Sequence, residues 1–341
     1  MVSWGLSLLK RILHTLSILE NRLHRWTNNL VYRLGHGRFS RVIVFVSVPA
    51  ALALFAYYAL QKRVYTPPIF DAQVHYNQNS WSSVSEEAVM NTAEELNIPW
   101  LLVASSPNEG TWKLYKEDSP VRVIPMLVPG LTSEDRNTWF NDPKIQAYVD
   151  QEINKRPYKG IGEFFLFDGQ VNTPVVRHVV ALAAERNLVL HARSDPNAIR
   201  QLFGLGPSLR ILWAHAGMYT RPEIIDSLLY RYPNLWVEIS HRGDVAPKGK
   251  LDPEWRKLML RYPDRFLLGS GTYSSQYWYR FREYHARYRS WLKELPPVAS
   301  EQIAFRNGLR LFQITYTRPK KKSMSDFLSF IFPPWSKQTD R

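Results

Sequence analysis

The 341-residue chain contains no cysteine. Disulfide bonds, thiolate metal sites and cysteine nucleophiles are therefore excluded, although a cysteine-free chain tolerates either redox environment. The sequence also lacks a zinc-finger motif, a phosphate-loop motif and a basic stripe interleaved with aromatic residues in its long C-terminal part. We therefore do not expect nucleic acid as a partner.

Acidic residues are scarce at the N-terminus, where residues 1–63 hold nine Lys or Arg and only Glu20. The whole chain carries a net charge of +14, and more than half of this positive charge lies in residues 1–63. Such a distribution indicates a basic segment beside a membrane. Apolar residues make up 45% of the chain and aromatic residues 13%, which is enough for a sizeable core.

The longest uncharged run is Val42–Leu60, with 19 residues. At helical rise it spans roughly 28 Å, which predicts one transmembrane helix. A buried core helix and a cleaved signal peptide are the alternatives. More basic residues precede the run than follow it, which predicts a cytoplasmic N-terminus and a large domain outside the cytoplasm, in the periplasm of a bacterium.

Within the basic segment 1–41, apolar residues from Leu9 to Leu30 repeat at alternating gaps of three and four, which predicts an amphipathic helix. Two interpretations remain open, namely an amphipathic helix on anionic lipid and a short coiled coil that forms a homodimer. Residues 61–68 form a linker in this scheme. The tail 318–341 is basic and then apolar, and it either docks on the large domain or enters the membrane interface.

Residues 69–317 alternate between short apolar runs and helical stretches. Continuous apolar runs are typical of parallel strands buried on both faces. Eight such runs separated by helices predict a (β/α)₈ TIM barrel, with the second crossover, 105–120, irregular. The runs are Ile69–His75, Trp100–Ala104, Val121–Val128, Gly160–Phe167, Leu188–His191, Ile211–His215, Leu235–Ser240 and Phe266–Gly269.

Polar residues stand near the ends of these runs, where a TIM barrel carries its chemistry. His75 ends the first run, His191 the fifth and His215 the sixth, and Glu163 lies in the fourth. Neutral imidazole is the commonest metal ligand, and three protein ligands with one open position suit a catalytic zinc. Structural roles are the alternative for each residue.

The order of these residues resembles the amidohydrolases, in the branch that includes hydrolases and decarboxylases of small organic acids. The resemblance covers residues 69–312. It rests on the first-strand motif Asp71-x-Gln73-x-His75, on Gly160-x-Gly162-Glu163, on His191 and His215, and on the closing Gly269-Ser270. It implies a divalent metal, with zinc expected, held by His75, His191 and Glu163. It also implies that His215 polarises the substrate or binds the metal, and that Glu163 or His215 is the general base.

Two positions depart from that family pattern. Gln73 stands where the family has a histidine, and Gly271 stands where it has an aspartate. The departures leave two hypotheses open. The first is a membrane-anchored, metal-dependent hydrolase of an amide or ester, with decarboxylation as the second chemistry. The second is a catalytically inactive amidohydrolase-fold sensor or scaffold at the membrane, without a metal.

A small-molecule substrate is the expected partner under the first hypothesis. Arg193 or Arg242 would hold a substrate carboxylate with two parallel hydrogen bonds, and His241 would also bind substrate. Asp195 follows His191 and precedes a helix, so N-capping accounts for it. We expect Asp168 and His285 to be structural or exposed.

Overall fold

The computed structural model describes residues 67–316, apart from 117, 118, 131 and 133. Eight parallel strands lie side by side in chain order. They are β1 (Phe70–Val74), β2 (Trp100–Val103), β3 (Arg122–Leu127), β4 (Gly160–Phe165), β5 (Val189–Arg193), β6 (Arg210–Trp213), β7 (Leu235–Glu238) and β8 (Phe266–Leu267). The predicted α/β barrel is therefore confirmed.

The barrel closes between β1 and β8, and this seam is short because β8 has only two residues. A single bridge pairs Asp71 with Leu268. Beyond it, the Gly271 N–H donates to the Gln73 carbonyl at 2.7 Å. The Asp71 carboxylate also accepts from the Ser270 N–H at 2.9 Å, so a side chain replaces part of the missing strand ladder.

Helices cover the outside of the strands. They are α1 (Glu86–Glu95), α2 (Glu109–Leu114), α3 (Pro143–Lys155), α4 (Pro174–Glu185), α5 (Pro196–Leu205), α6 (Pro222–Arg231), α7 (Pro253–Arg261), α8 (Ser275–Tyr279), α9 (Phe281–Leu292), α10 (Pro297–Glu301) and α11 (Asn307–Leu311). Helix α2 lies in the crossover that looks irregular in sequence.

Several helices begin with proline directly after a capping side chain. Proline suits the first turn because it has no N–H to leave unpaired. Asp195 caps α5 by accepting from the N–H groups of Asn197 and Ala198, as its sequence position predicts. Asp252 caps α7 in the same way. The caps fix where each helix starts and hence the length of the loop after each strand.

The core lies inside the barrel and between strands and helices. Ile161, Leu190 and Leu212 on three neighbouring strands are all 0% exposed. Burying one such side chain contributes about 1.5–3 kcal/mol. This packing holds the strand ends rigidly, and the polar residues described below project from those ends.

The predicted membrane localisation is corrected, because no helix in the described part of the chain is long and apolar enough to cross a bilayer. The run Val42–Leu60, the segment 1–41, the linker up to residue 66 and the tail from residue 317 lie outside the described residues. The predicted orientation, with the barrel outside the cytoplasm, loses its basis with that correction.

Candidate active site

The strand ends bring Glu163 between two histidines. Glu163 lies in β4, His75 directly follows β1, and His215 follows β6. The Nε2 atom of His75 is 3.3 Å from Oε2 of Glu163, and Nε2 of His215 is 3.1 Å from Oε1. All three residues are at least nine-tenths buried. The structure thus gathers two of the predicted histidines around the predicted carboxylate.

Unusual backbone conformations place two of these side chains. Gly162 has a φ of +129°, and a Cβ there would overlap the His191 carbonyl, so only glycine allows β4 to approach β5 this closely. Glu163 follows directly. His215 has a φ of +54° inside the short turn Ala214–Gly217 that ends β6. Left-handed conformations of non-glycine residues are uncommon and are often found at functional sites.

The ring of His75 is fixed by its Nδ1 atom, which donates to the Ala104 carbonyl. In the neutral ring Nε2 is then the acceptor, and the Gln73 amide nitrogen lies 3.1 Å from it. An imidazole anchored through Nδ1 on a carbonyl is the usual arrangement of a metal-binding histidine. Here the side chains of Gln73 and Glu163 lie next to Nε2, the other nitrogen of the His75 ring.

A buried hydrogen-bond chain runs from Glu163 through His215 to β7. The Ser240 hydroxyl donates to Glu238 Oε2 at 2.9 Å, so its oxygen accepts from His215 Nδ1 at 2.8 Å. The other ring nitrogen, Nε2, faces Glu163. Since both of its nitrogens then donate, His215 is cationic and Glu163 is its carboxylate partner.

The pKa values of these groups follow from that chain. Burial acts to raise the pKa of Glu163, but the hydrogen bond from His215 and the close approach of the His75 ring outweigh it and hold the pKa well below its usual range. Burial acts to lower the pKa of His215, but the hydrogen bond and charge of Glu163 raise it. Desolvation raises the pKa of Glu238 to about 7. Glu163 and His215 therefore form a buried ion pair at neutral pH.

His191 lies in β5 beside this cluster without a hydrogen-bond partner. His191 is only 1% exposed to solvent, and no described residue hydrogen-bonds to its ring nitrogens, Nδ1 and Nε2. Desolvation lowers its pKa to about 3, so the ring is neutral at pH 7. The Gln73 Oε1 atom is also buried and has no hydrogen-bond partner within the described range. A buried polar atom left unpaired costs about 1–3 kcal/mol.

These donors fit a divalent metal in their chemistry. His191 offers unpartnered nitrogens, His75 is anchored through Nδ1, and Glu163 supplies a carboxylate. In the described part of the chain, however, no three acidic or histidine side chains are arranged around one point as ligands, because Glu163 accepts a hydrogen bond from His215 and His75 accepts one from Gln73. Metal binding would exchange those hydrogen bonds for coordination.

A cavity of about 640 Å³ opens next to the cluster, between the loop after β7 and helices α8 and α9. Its lining includes His241, Lys248, Ser270, Tyr277, Arg280 and Tyr284. None of His75, Glu163, His191 and His215 is among the lining residues. The cavity is large enough for a small organic molecule, and His241 is where it approaches the buried cluster.

The two predicted substrate-binding arginines differ in their contacts. Arg242 donates to the carbonyls of Ala216 and Thr220, each at 3.0 Å, and forms a bidentate pair with Asp244 at 2.7 and 2.8 Å. Its donors are therefore committed to the fold. Arg193 stacks on the Phe165 ring at 4.5 Å and has no hydrogen-bond acceptor among the described residues. Arg193 remains the candidate for holding an anion.

The sequence does not predict how two residues of the site, Ser240 and His241, are placed around His215. Ser240 connects His215 to Glu238. In the sequence, the only indication of this contact is that Glu238 and Ser240 are polar residues two positions apart at the end of a buried strand, where alternate residues share a face. His241 has a φ of +58°, and its ring centroid is 5.2 Å from that of His215. Desolvation by neighbouring side chains lowers the pKa of His241, which keeps the ring neutral at pH 7.

The comparison with protein families agrees with the resemblance read from the strand ends. A family model described as amidohydrolase matches residues 151–314. This range includes Glu163, His191, His215 and His241, whereas His75 precedes it. The predicted amidohydrolase resemblance is therefore confirmed over this part of the barrel. A comparison with curated proteins finds no match.

Solved structures resemble the chain at low identity. A putative 2-pyrone-4,6-dicarboxylic acid hydrolase from Pseudomonas putida is 14% identical with a TM-score of 0.52, covering 73% of this chain and 99% of that one. A putative amidohydrolase from Staphylococcus aureus is 11% identical with a TM-score of 0.49, covering 72% and 99%. Of these two, the Pseudomonas putida structure, whose TM-score exceeds 0.5, supports the TIM-barrel fold, and the likeness does not extend to activity.

Proposed function

We propose that the barrel is a metal-dependent enzyme that hydrolyses an amide or ester bond in a small organic anion, with decarboxylation as its second possible chemistry. The observation that carries this proposal is His191, a neutral imidazole buried within β5 whose two nitrogens have no hydrogen-bond partner among the described residues. Such a side chain is costly to bury unless something binds it. A metal ion is the partner that neutral imidazole most often takes.

In this proposal His75, His191 and Glu163 hold the metal. A bound divalent ion lowers the pKa of water and polarises a carbonyl group. His215 holds a proton at Nε2, and Ser240 with Glu238 fixes the orientation of its ring. No carboxylate comes from position 271, so Glu163 and His215 are the groups that move protons. Arg193 binds the anionic end of the substrate.

Zinc content tests the proposal directly. The full chain is stripped with a chelator, dialysed against zinc and analysed by mass spectrometry of the metal. We expect close to one bound zinc, and a loss of at least tenfold in affinity for His191→Ala. The control is His178→Ala, because His178 lies in α4, away from the site, and pairs with Asp150 at 2.7 Å. A parent chain that stays folded and takes up no zinc contradicts the proposal.

A ligand-binding barrel without a metal is the second candidate, and one contact favours it. The Gln73 amide nitrogen lies 3.1 Å from His75 Nε2 and occupies the lone pair that a metal needs. Under this alternative the cavity beside His241 binds a small molecule and no reaction follows. The zinc measurement separates the two, since only the enzyme needs the metal.

A further inference from the structure

The imidazole of His241 fills the space in front of Gly271. A Cβ on residue 271 would overlap the Nε2 atom of His241. Gly271 also has a φ of +64°, a conformation that disfavours other residues. Two side chains therefore cannot share this place. The loop after β7 supplies the side chain at this point, and the chain after β8 supplies none.

The same ring faces both the cluster and the cavity. It lies 5.2 Å from the His215 ring, measured between centroids, and 5.3 Å from the Tyr277 ring in an edge contact. His241 lines the cavity and is solvent-exposed, whereas His75, His191 and His215 are buried. A molecule that enters the cavity meets His241 before it meets any of those three.

We propose that His241 supplies, from the end of β7, the ionisable side chain that is absent at position 271, and that its imidazole contacts the substrate bound in the cavity. Gly271 is the residue that makes room for it. This role rests on the proposed function. Its tests use neither zinc nor turnover, so they can fail while the zinc measurement succeeds, and the reverse.

The first test removes the ring and offers it back. His241→Gly leaves a space of imidazole size, and glycine suits the φ of +58° at that position. Free imidazole is the probe, and its binding to the full chain is followed by the shift in melting temperature and by ligand-observed NMR. We expect at least tenfold tighter binding than to the parent, with no gain for the control His178→Ala.

A second substitution makes this test specific to the shared space. Adding Gly271→Ala to His241→Gly places a methyl group where the ring stood, so imidazole binding should fall back to the parent level. The cooperative melting transition of the double variant reports that it is folded. If His241→Gly binds imidazole no better than the parent, or if Gly271→Ala leaves that binding unchanged, the assignment is wrong.

The second test asks whether the ring is reached from the cavity. Diethyl pyrocarbonate acylates an unprotonated, accessible imidazole nitrogen, and peptide mass spectrometry locates the product. In the folded parent we expect His241 to react at least tenfold faster than His215, because His215 is 2% exposed. A His241 as slow as His215 would show that the ring does not meet molecules in the cavity.

Discussion

Asp71 and His285 face each other between β1 and α9, with Nε2 of His285 3.1 Å from Oδ2 of Asp71. Neither side chain is more than 1% exposed. The Nδ1 atom of His285 donates to the Phe281 carbonyl at 2.9 Å, so Nε2 is the part of the ring that meets the carboxylate. The sequence left His285 as either structural or exposed, and this buried position agrees with the first alternative.

Breaking this buried pair should be costly. His285→Ala removes one partner and leaves the Asp71 carboxylate buried, which we expect to lower the free energy of unfolding by about 3–5 kcal/mol. Urea unfolding of the full chain measures it. The double variant with Asp71→Ala should lose less than the two single losses added together. Strictly additive losses would mean that the two side chains do not interact.

Glu238 should make the free energy of unfolding depend on pH. Its pKa is raised by burial from 4.5 to about 7, so the folded state keeps a proton that the unfolded state releases between these pH values. Stability from this group is therefore fully present below about pH 4.5 and is lost as pH rises towards 7, by up to about 3 kcal/mol.

Thermal unfolding at several pH values compares the parent with Glu238→Gln, which cannot ionise. The parent should lose more stability than the variant between pH 4.5 and 7.5, whereas Glu254→Gln on the exposed surface of α7 should follow the parent. Parallel pH profiles for the parent and Glu238→Gln would show that Glu238 does not titrate in this window.

Arg242 and Arg193 should differ sharply in their effect on stability. Arg242→Gln removes a side chain that is 5% exposed and bonded to Asp244, and it leaves the Ala216 and Thr220 carbonyls without their donor. We expect a loss of about 2–4 kcal/mol. Arg193→Gln gives up only a ring contact, worth about 0.5–1 kcal/mol. Equal losses in urea unfolding would contradict the contact pattern.

Of the two positions that depart from the family pattern, Gln73 and Gly271, only Gln73 can be changed back to a metal-binding side chain without a steric conflict. Gln73→His removes the amide that blocks His75 Nε2 and adds a nitrogen beside it, so zinc affinity measured by calorimetry should rise at least tenfold. Gly271→Asp would collide with His241 and strain the backbone, so it should lower the melting temperature without improving zinc binding. A stable, tighter-binding Gly271→Asp chain would refute the steric conflict.

The barrel could be predicted from the sequence because local patterns determine its parts. The apolar runs coincide with the eight strands to within a few residues, since strands buried on both faces leave an unbroken apolar signal. Helices α6 and α7 begin at Pro222 and Pro253, and proline is common in the first turn of a helix. The convergence of His75, Glu163 and His215 follows from the fold once their strand-end positions are known.

Other features of the site could not be predicted from the sequence. Gly271 reads as a lost ligand, and nothing nearby in sequence shows that the ring of His241 takes its place. Arg242 reads as a free cation because its carbonyl partners, Ala216 and Thr220, belong to a different loop. Both outcomes depend on how the loops after β6, β7 and β8 pack together, which no local pattern records.

The short seam between β1 and β8 also affects when the site forms during folding. It joins residues such as Gln73 and Ser270, which are 197 positions apart in the chain. Contacts between such distant residues form late in folding, because the loop they close is long. Gln73 and Gly271 meet across this seam, so a chain that has folded only from one end holds one half of the site and cannot bind there.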